Sequence, residues 1–300
     1  MRPIRSSIDE GHPDYPVLAM LRDAVASRAG GLADLQIKFP GIVRDAIDFV
    51  LDPVRTARTK VRDLDNVEKT FIGLKLEHFV RDMLDVPKGL RDLRIGDMDV
   101  DIKNTVGQNW SIPVETYRAS EPCLLMAIDD DNFTCSLGLI IAKPEYLHAG
   151  AGNRDSKKGV SSEGFKHILW LVHNEPFPAS RFMGFDMARF RELRKIKGGN
   201  IRVVSFVREN LRRIIHRDVM LALLFDQNDP MKRLRANGGA PDTLKHDRIS
   251  ILIGTFLVDR RIAEHFGFPN LQPDEIVAVQ ADTDDEWELA KKSGSSKATE

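Results

Sequence analysis

Arg91-Asp-Leu-Arg-Ile-Gly-Asp-Met-Asp-Val-Asp-Ile-Lys103 is the stretch on which the fold turns. Gly96-Asp97 is a turn signal. Beyond it Asp97, Asp99, Asp101 and Lys103 alternate with Met98, Val100 and Ile102. That period is a strand's, and it sets Asp101 and Lys103 side by side on one face. Asp92 falls on the partner strand across the turn, and Glu77 comes from the helix just before. A hairpin thus gathers three acids and a lysine about one point.

Such a set suits Mg²⁺, a hard ion that takes oxygen ligands, commonly one or two carboxylates with water and phosphate. Asp92, Asp101 and Glu77 are the expected metal residues, and the Ile102 carbonyl offers a further oxygen. A lysine two positions along the strand can orient the attacking water or neutralise charge developing on a phosphate. The same alternation also suits a solvated edge strand. Only two acid-x-Lys triplets occur in the chain, Asp101-x-Lys103 and Asp155-x-Lys157. The second lies in a polar loop without strand character.

The run from Lys69 to Glu77, then Asp92, then Asp99 to Pro113 resembles the endonuclease domain of the NaeI restriction enzymes. It is similar, more distantly, to the mismatch-repair nicking endonuclease. Gly150–Gly159 and Asp229–Asp242 extend the resemblance, which covers most of residues 60–260. The resemblance implies a Mg²⁺-dependent type II enzyme acting on double-stranded DNA, with catalytic positions at Glu77, Asp92, Asp101 and Lys103. It also implies a second DNA-binding domain for an effector copy of the site. A homodimer suits a palindromic duplex, and a DNA methyltransferase of the same specificity is a possible partner. Arg91, where related nucleases often carry proline, precedes Asp92. Asn109, Trp110, Arg154 and Lys157 are expected DNA contacts beside the cutting site, and Lys232, Arg233 and Arg235 in the second domain. Trp110 has a core position as its plainer alternative.

The fold class expected is α/β, a restriction-endonuclease-like mixed sheet flanked by helices. A mainly helical second domain, helix-turn-helix or winged-helix, follows it. The expected boundaries are 1–175 for the endonuclease domain, 176–280 for the effector domain and 281–300 for a disordered tail. At 300 residues the chain is long enough for two cores. Net charge is only −1, yet residues 181–235 hold fourteen Lys or Arg against six Asp or Glu. Local charge sets the field that phosphate meets. Cys123 and Cys135 lie in apolar runs and read as buried thiols rather than zinc ligands. The longest apolar stretch, Ile249–Val258, is too short to span a bilayer, and no signal-peptide pattern opens the chain. A cytoplasmic protein is expected.

Residues 1–15 read as loosely ordered. Helices are expected over Val17–Ser27, Gly41–Leu51 and Asp65–Leu84, the last with a capping box at Asp65 and Glu68. Gly73 within it suggests a close backbone contact. Cys123–Ile128 and Cys135–Ala142 read as strands joined by the acidic turn Asp129–Asn132. A helix is expected over Ser162–His173, a linker over 174–186, and helices over Met187–Ile196 and Val207–Phe225. A short helix follows, capped by Asp229 and stopped at Gly238. Asp259–Phe266 resembles the first helix of a helix-turn-helix, although Pro273 interrupts the second.

Overall fold

The computed structural model describes residues 8–56, 58–107 and 109–293. They fall into two compact units, Met1–Asp52 with Arg58–Ser180, and Pro53–Ala57 with Arg181–Glu300. In the first unit α1 (Tyr15–Ala29) and α2 (Leu32–Leu51) form a helical pair. The helix expected from Gly41 starts earlier, at Leu32, with Pro40 inside α2 and buried. The four-residue α3 (Pro53–Thr56) belongs to the second unit.

Helix α4 (Asn66–Leu84) begins where its capping box places it. Asp65 accepts the Glu68 N–H at 2.8 Å, and Glu68 accepts the Asp65 N–H at 3.0 Å. Ile72, Leu76 and Val80, spaced by four, are its buried stripe. Two strands follow, β1 (Leu93–Ile95) and β2 (Met98–Val106), paired antiparallel around Gly96, whose φ of +60° suits glycine at the turn.

The short helix α5 (Val114–Arg118) carries the chain across to β3 (Pro122–Asp129), which runs parallel to β2. Strands β4 (Thr134–Ile141) and β5 (Leu169–Pro176) complete a mixed sheet of order β1-β2-β3-β4-β5. Strand β3 is buried on both faces. Leu124, Met126 and Ile128 face the core formed with α1, α2 and α4. Cys123, Leu125 and Ala127 face a second core with Trp110, Tyr146 and Phe165. Both cysteines are free and buried.

The helix expected over Ser162–His173 is a single 3-10 turn, Gly164–His167, followed by β5. Gly164 lies so close to the Tyr146 carbonyl that a Cβ there would sit 1.9 Å from its oxygen. Leu169–Val172 then pairs with β4 instead of coiling. Nor is the segment before α1 loose where it is described. Asp14 is buried, bonded to Lys143 at 2.5 Å and to the Tyr146 hydroxyl at 2.8 Å. Residues 1–7 lie outside the described residues.

The second unit contains α6 (Met187–Lys195), α7 (Gly199–Glu209), β6 (Ile214–His216) and α8 (Arg217–Leu223). The continuous helix expected over Val207–Phe225 is broken by Arg212, at φ +55°, and by the pairing of β6. Asp229 caps a 3-10 helix, Pro230–Leu234, by accepting the Lys232 N–H at 3.2 Å. After α9 (Pro241–Leu244) come β7 (Ile249–Ile253), α10 (Leu257–His265), β8 (Glu275–Gln280) and α11 (Asp284–Ala290).

Strands β6, β8 and β7 form an antiparallel sheet in that order. The helix-turn-helix expected from Asp259 is absent, since α10 leads through Pro273 into β8. Residues 281–293 are not a tail either. Thr283 and Glu286 form a second capping box, Ala290 is buried, and Ser250 Oγ donates to the Ala290 carbonyl at 2.8 Å. The rest of the expected tail, 294–300, lies outside the described residues.

Candidate active site

Antiparallel register explains how two distant carboxylates meet. Leu93 pairs with Val100, so Asp92, the residue just before β1, lies against Asp101 in β2. Asp92 Oδ2 accepts the Ile102 N–H at 2.8 Å, which fixes its carboxylate at the strand edge. Asp101 is 4% exposed. Its Oδ1 accepts from Lys103 Nζ at 2.5 Å and its Oδ2 from the Thr116 hydroxyl at 2.8 Å. Lys103 Nζ also donates to the Ile102 carbonyl at 3.0 Å. The alternation in β2 thus brings Asp101 and Lys103 together.

Glu77, half-buried on α4, faces the same place. A cavity of about 640 Å³ is lined by Glu77, Asp92, Ile102, Lys103, Asn104 and Lys157 among others. Asn66, Lys69 and Thr70 line it from the start of α4, with Asn109 and Ser111 from the loop after β2. Gly73 permits this approach of helix to strand. A Cβ there would lie 2.0 Å from Asn104 Oδ1.

Electrostatically the site is poised for a cation. Burial raises the Asp92 carboxyl above its ordinary range, and neighbouring Asp101 adds to the rise against the opposing Ile102 N–H. Burial raises Glu77 too, with the charge of Asp92 acting in the same direction. A divalent ion relieves this crowding. Among the described residues no three His, Cys, Asp or Glu side chains converge closely enough to hold an ion alone. The donors are oxygens, two adjacent carboxylates and the Ile102 carbonyl. That set fits Mg²⁺, which completes its shell with water and phosphate, and not a closed protein cage.

Residues 36–288 match the model of the family described as restriction endonuclease NaeI. The chain belongs to that family. As a member it is a restriction endonuclease. It is 29% identical over 268 residues to the type II restriction enzyme NaeI of Lentzea aerocolonigenes, covering 85% of this chain and 82% of that one.

Against this family background the expected DNA contacts separate. Trp110 is 2% exposed, donates Nε1–H to the Met126 carbonyl at 2.7 Å and packs beside Phe165 and Trp170. It is a core residue, and the expectation of a DNA contact is corrected. Asn109 holds the loop, with Oδ1 accepting the Val160 N–H at 2.9 Å and Nδ2 donating to the Val160 carbonyl at 2.8 Å. Lys157 lines the cavity, while Arg154 is exposed outside it. The Asp155 N–H donates to Asn153 Oδ1 at 3.0 Å, within the tight turn of this loop. Asp129 accepts from the Asn132 backbone and side chain, a turn and not a metal cluster.

In the second unit several of these basic side chains are paired internally. Arg181 pairs with Asp218, Arg189 with Glu192 and Glu209, and Arg208 with Asp247. Arg202, 2% exposed, pairs with Asp226. Arg233 donates to Gln227 Oε1 at 3.0 Å. Lys232 and Arg235 are exposed on the 3-10 helix and just past it. Among the described residues no helix is long and apolar enough to cross a membrane.

Sequence reasoning missed Thr116, Lys69, Asn66, Thr70, Asn104 and Ser111. Lys69, Thr70 and Gly73 lie within the family-like run from Lys69 to Glu77, and the helical spacing of 66, 70, 73 and 77 is the available signal. Thr116 carried none.

Proposed function

We propose that this protein hydrolyses phosphodiester bonds in both strands of DNA at a specific sequence, using Mg²⁺ at Asp92 and Asp101. The observation that carries the reading is Asp92 and Lys103 on the wall of an open, polar cavity, with the buried Asp101 bonded to Lys103 beside them. Mg²⁺, when bound, supplies Lewis-acid stabilisation of the phosphate and lowers the pKa of water. Asp92 and Asp101 hold it, with the Ile102 carbonyl beside them. Lys103 orients the attacking water and offsets charge on the phosphate oxygens. Glu77 supports the metal side through its own carboxylate or a water it holds. Lys157, which lines the same cavity, grips the DNA backbone, and Arg154, exposed outside it, meets phosphate.

The second unit binds a further duplex as effector, with Lys232, Arg233 and Arg235 at that surface. Its order of helix, strand, helix, short helices and two strands supports a winged-helix reading, with α10 inserted between the last two strands. A homodimer cuts the two strands of a palindromic site. The enzyme works in the cytoplasm beside a methyltransferase that protects the same sequence. The boundaries near residues 175 and 280 are those of the proposed cutting and effector domains, although α11 continues the second fold past 280.

The test is incubation of the full chain with supercoiled plasmid and Mg²⁺, followed by end-sequencing. Linear products with one recurrent end sequence support the reading. Nicked circles alone point to a monomeric nicking endonuclease. Binding without cleavage, indifferent to EDTA, points to a DNA-binding regulator.

A further inference from the structure

We propose that Thr116 is a positioning residue for the metal centre, its hydroxyl fixing the Asp101 carboxylate in the orientation that receives the ion. The proposal rests on the reading of Asp101 as a metal ligand. Thr116 is 1% exposed and donates from Oγ1 to Asp101 Oδ2 at 2.8 Å. Asp101 is buried, and its other oxygen meets Lys103. A carboxylate so enclosed has two oxygens with about four lone-pair sites. One bond to each oxygen locks its rotation and leaves lone pairs for an ion.

Thr116 is itself held firmly. Its carbonyl accepts the Glu121 N–H at 3.1 Å at the end of α5. The next side chain, Tyr117, donates from its hydroxyl to the Ser156 carbonyl at 3.2 Å. Just before α5, Ile112 pairs with Lys158 through backbone bonds of 2.9 and 3.0 Å. The hydroxyl therefore comes from a short helix held to the loop of Lys157 through both Ile112 and Tyr117 and closed at its end by the Glu121 N–H. A threonine whose hydroxyl only satisfied its own burial could bond a backbone carbonyl in its helix, as Thr70 does with Asn66. Thr116 bonds the carboxylate instead.

Groups that orient a metal ligand typically change metal affinity by about 10- to 100-fold when removed. The experiment is Mn²⁺ binding to the full chain without DNA, followed by the electron paramagnetic resonance of free Mn²⁺. Thr116→Val keeps the shape and loses the hydroxyl, and we expect at least about tenfold weaker binding. Thr116→Ser keeps the donor and should restore most of the affinity. Should the Val variant not fold, Thr116→Ser against Thr116→Ala compares the hydroxyl alone, and equal Mn²⁺ affinities in that pair would overturn the proposal. So would wild-type affinity in a folded Thr116→Val protein when Asp101→Ala abolishes binding. Unchanged binding in Asp101→Ala, or none in the wild type, removes the metal reading and this proposal together.

Discussion

The Asp92 carboxylate accepts the backbone N–H of Ile102 at 2.8 Å, and this bond holds it against Asp101. Two acids in one small, half-buried space are useful to a cation and costly without one. Burial, and then Asp101, raise the Asp92 carboxyl, so folding favours its protonated form. The stability contributed by that proton is complete below the ordinary carboxylate range. It is lost as pH rises through the elevated folded value. At neutral pH, metal-free Asp92→Asn should therefore melt higher than wild type, and the difference should vanish on acidification below about pH 4. Added Mn²⁺ should raise the wild-type melting temperature more than the variant's. A lower melting temperature for Asp92→Asn at neutral pH would contradict the crowding of the two carboxylates.

Gly73 tests how tightly α4 lies on β2. Alanine is the better helix former by about 1 kcal/mol. A Cβ at Gly73 nevertheless meets the Asn104 side chain at 2.0 Å. Gly73→Ala should destabilise by about 1–3 kcal/mol in urea unfolding. Gly73→Ala combined with Asn104→Ala should recover most of that loss. A stabilised single variant would mean that Asn104 swings away freely.

Trp110 and Lys157 should respond oppositely. Trp110→Phe loses the bond to the Met126 carbonyl and should cost about 1–3 kcal/mol of stability while leaving the salt dependence of DNA binding alone. Lys157→Ala should leave stability near wild type and reduce the log–log salt slope by roughly one phosphate contact. Salt titrations of binding in Ca²⁺ check both.

If the second unit binds its own duplex in a cutting-competent state, an uncleavable oligonucleotide bearing the site should accelerate cleavage of a slow target. Such coupling requires the effector to favour the active state over the resting one. Replacing Lys232 and Arg235 with alanine should shift the stimulation to higher oligonucleotide concentration. Inhibition at every concentration, without a rising phase, would remove the effector site.

What the sequence made legible follows from local rules. Alternation from Asp97 to Lys103 set the face of β2, Gly96 set its turn, and Asp65 with Glu68 set the start of α4. Each signal spans a few residues and needs no partner elsewhere. The parts that escaped depend on distant partners. Leu169–Val172 becomes a strand only because β4 lies beside it, and Ile249–Ile253 only because β8 does. The basic run over 181–235 does not mark which cations are paired, since Arg181 meets Asp218 and Arg208 meets Asp247 only in the fold. Thr116 reaches Asp101 from a connecting helix, a contact that no spacing encodes.

The central claim is that Asp101 and Lys103 do metal-dependent chemistry on DNA, and paired cleavage and binding assays address it most directly. Asp101→Ala and Lys103→Ala are compared with wild type on plasmid in Mg²⁺ and on the same DNA in Ca²⁺, with Asp155→Ala as control. The account predicts that Asp101→Ala abolishes cleavage and that Lys103→Ala loses about a hundredfold or more in rate. Both should still bind DNA in Ca²⁺, and Asp155→Ala should keep the metal-dependent chemistry. Wild-type cleavage rates in either Asp101→Ala or Lys103→Ala would contradict it.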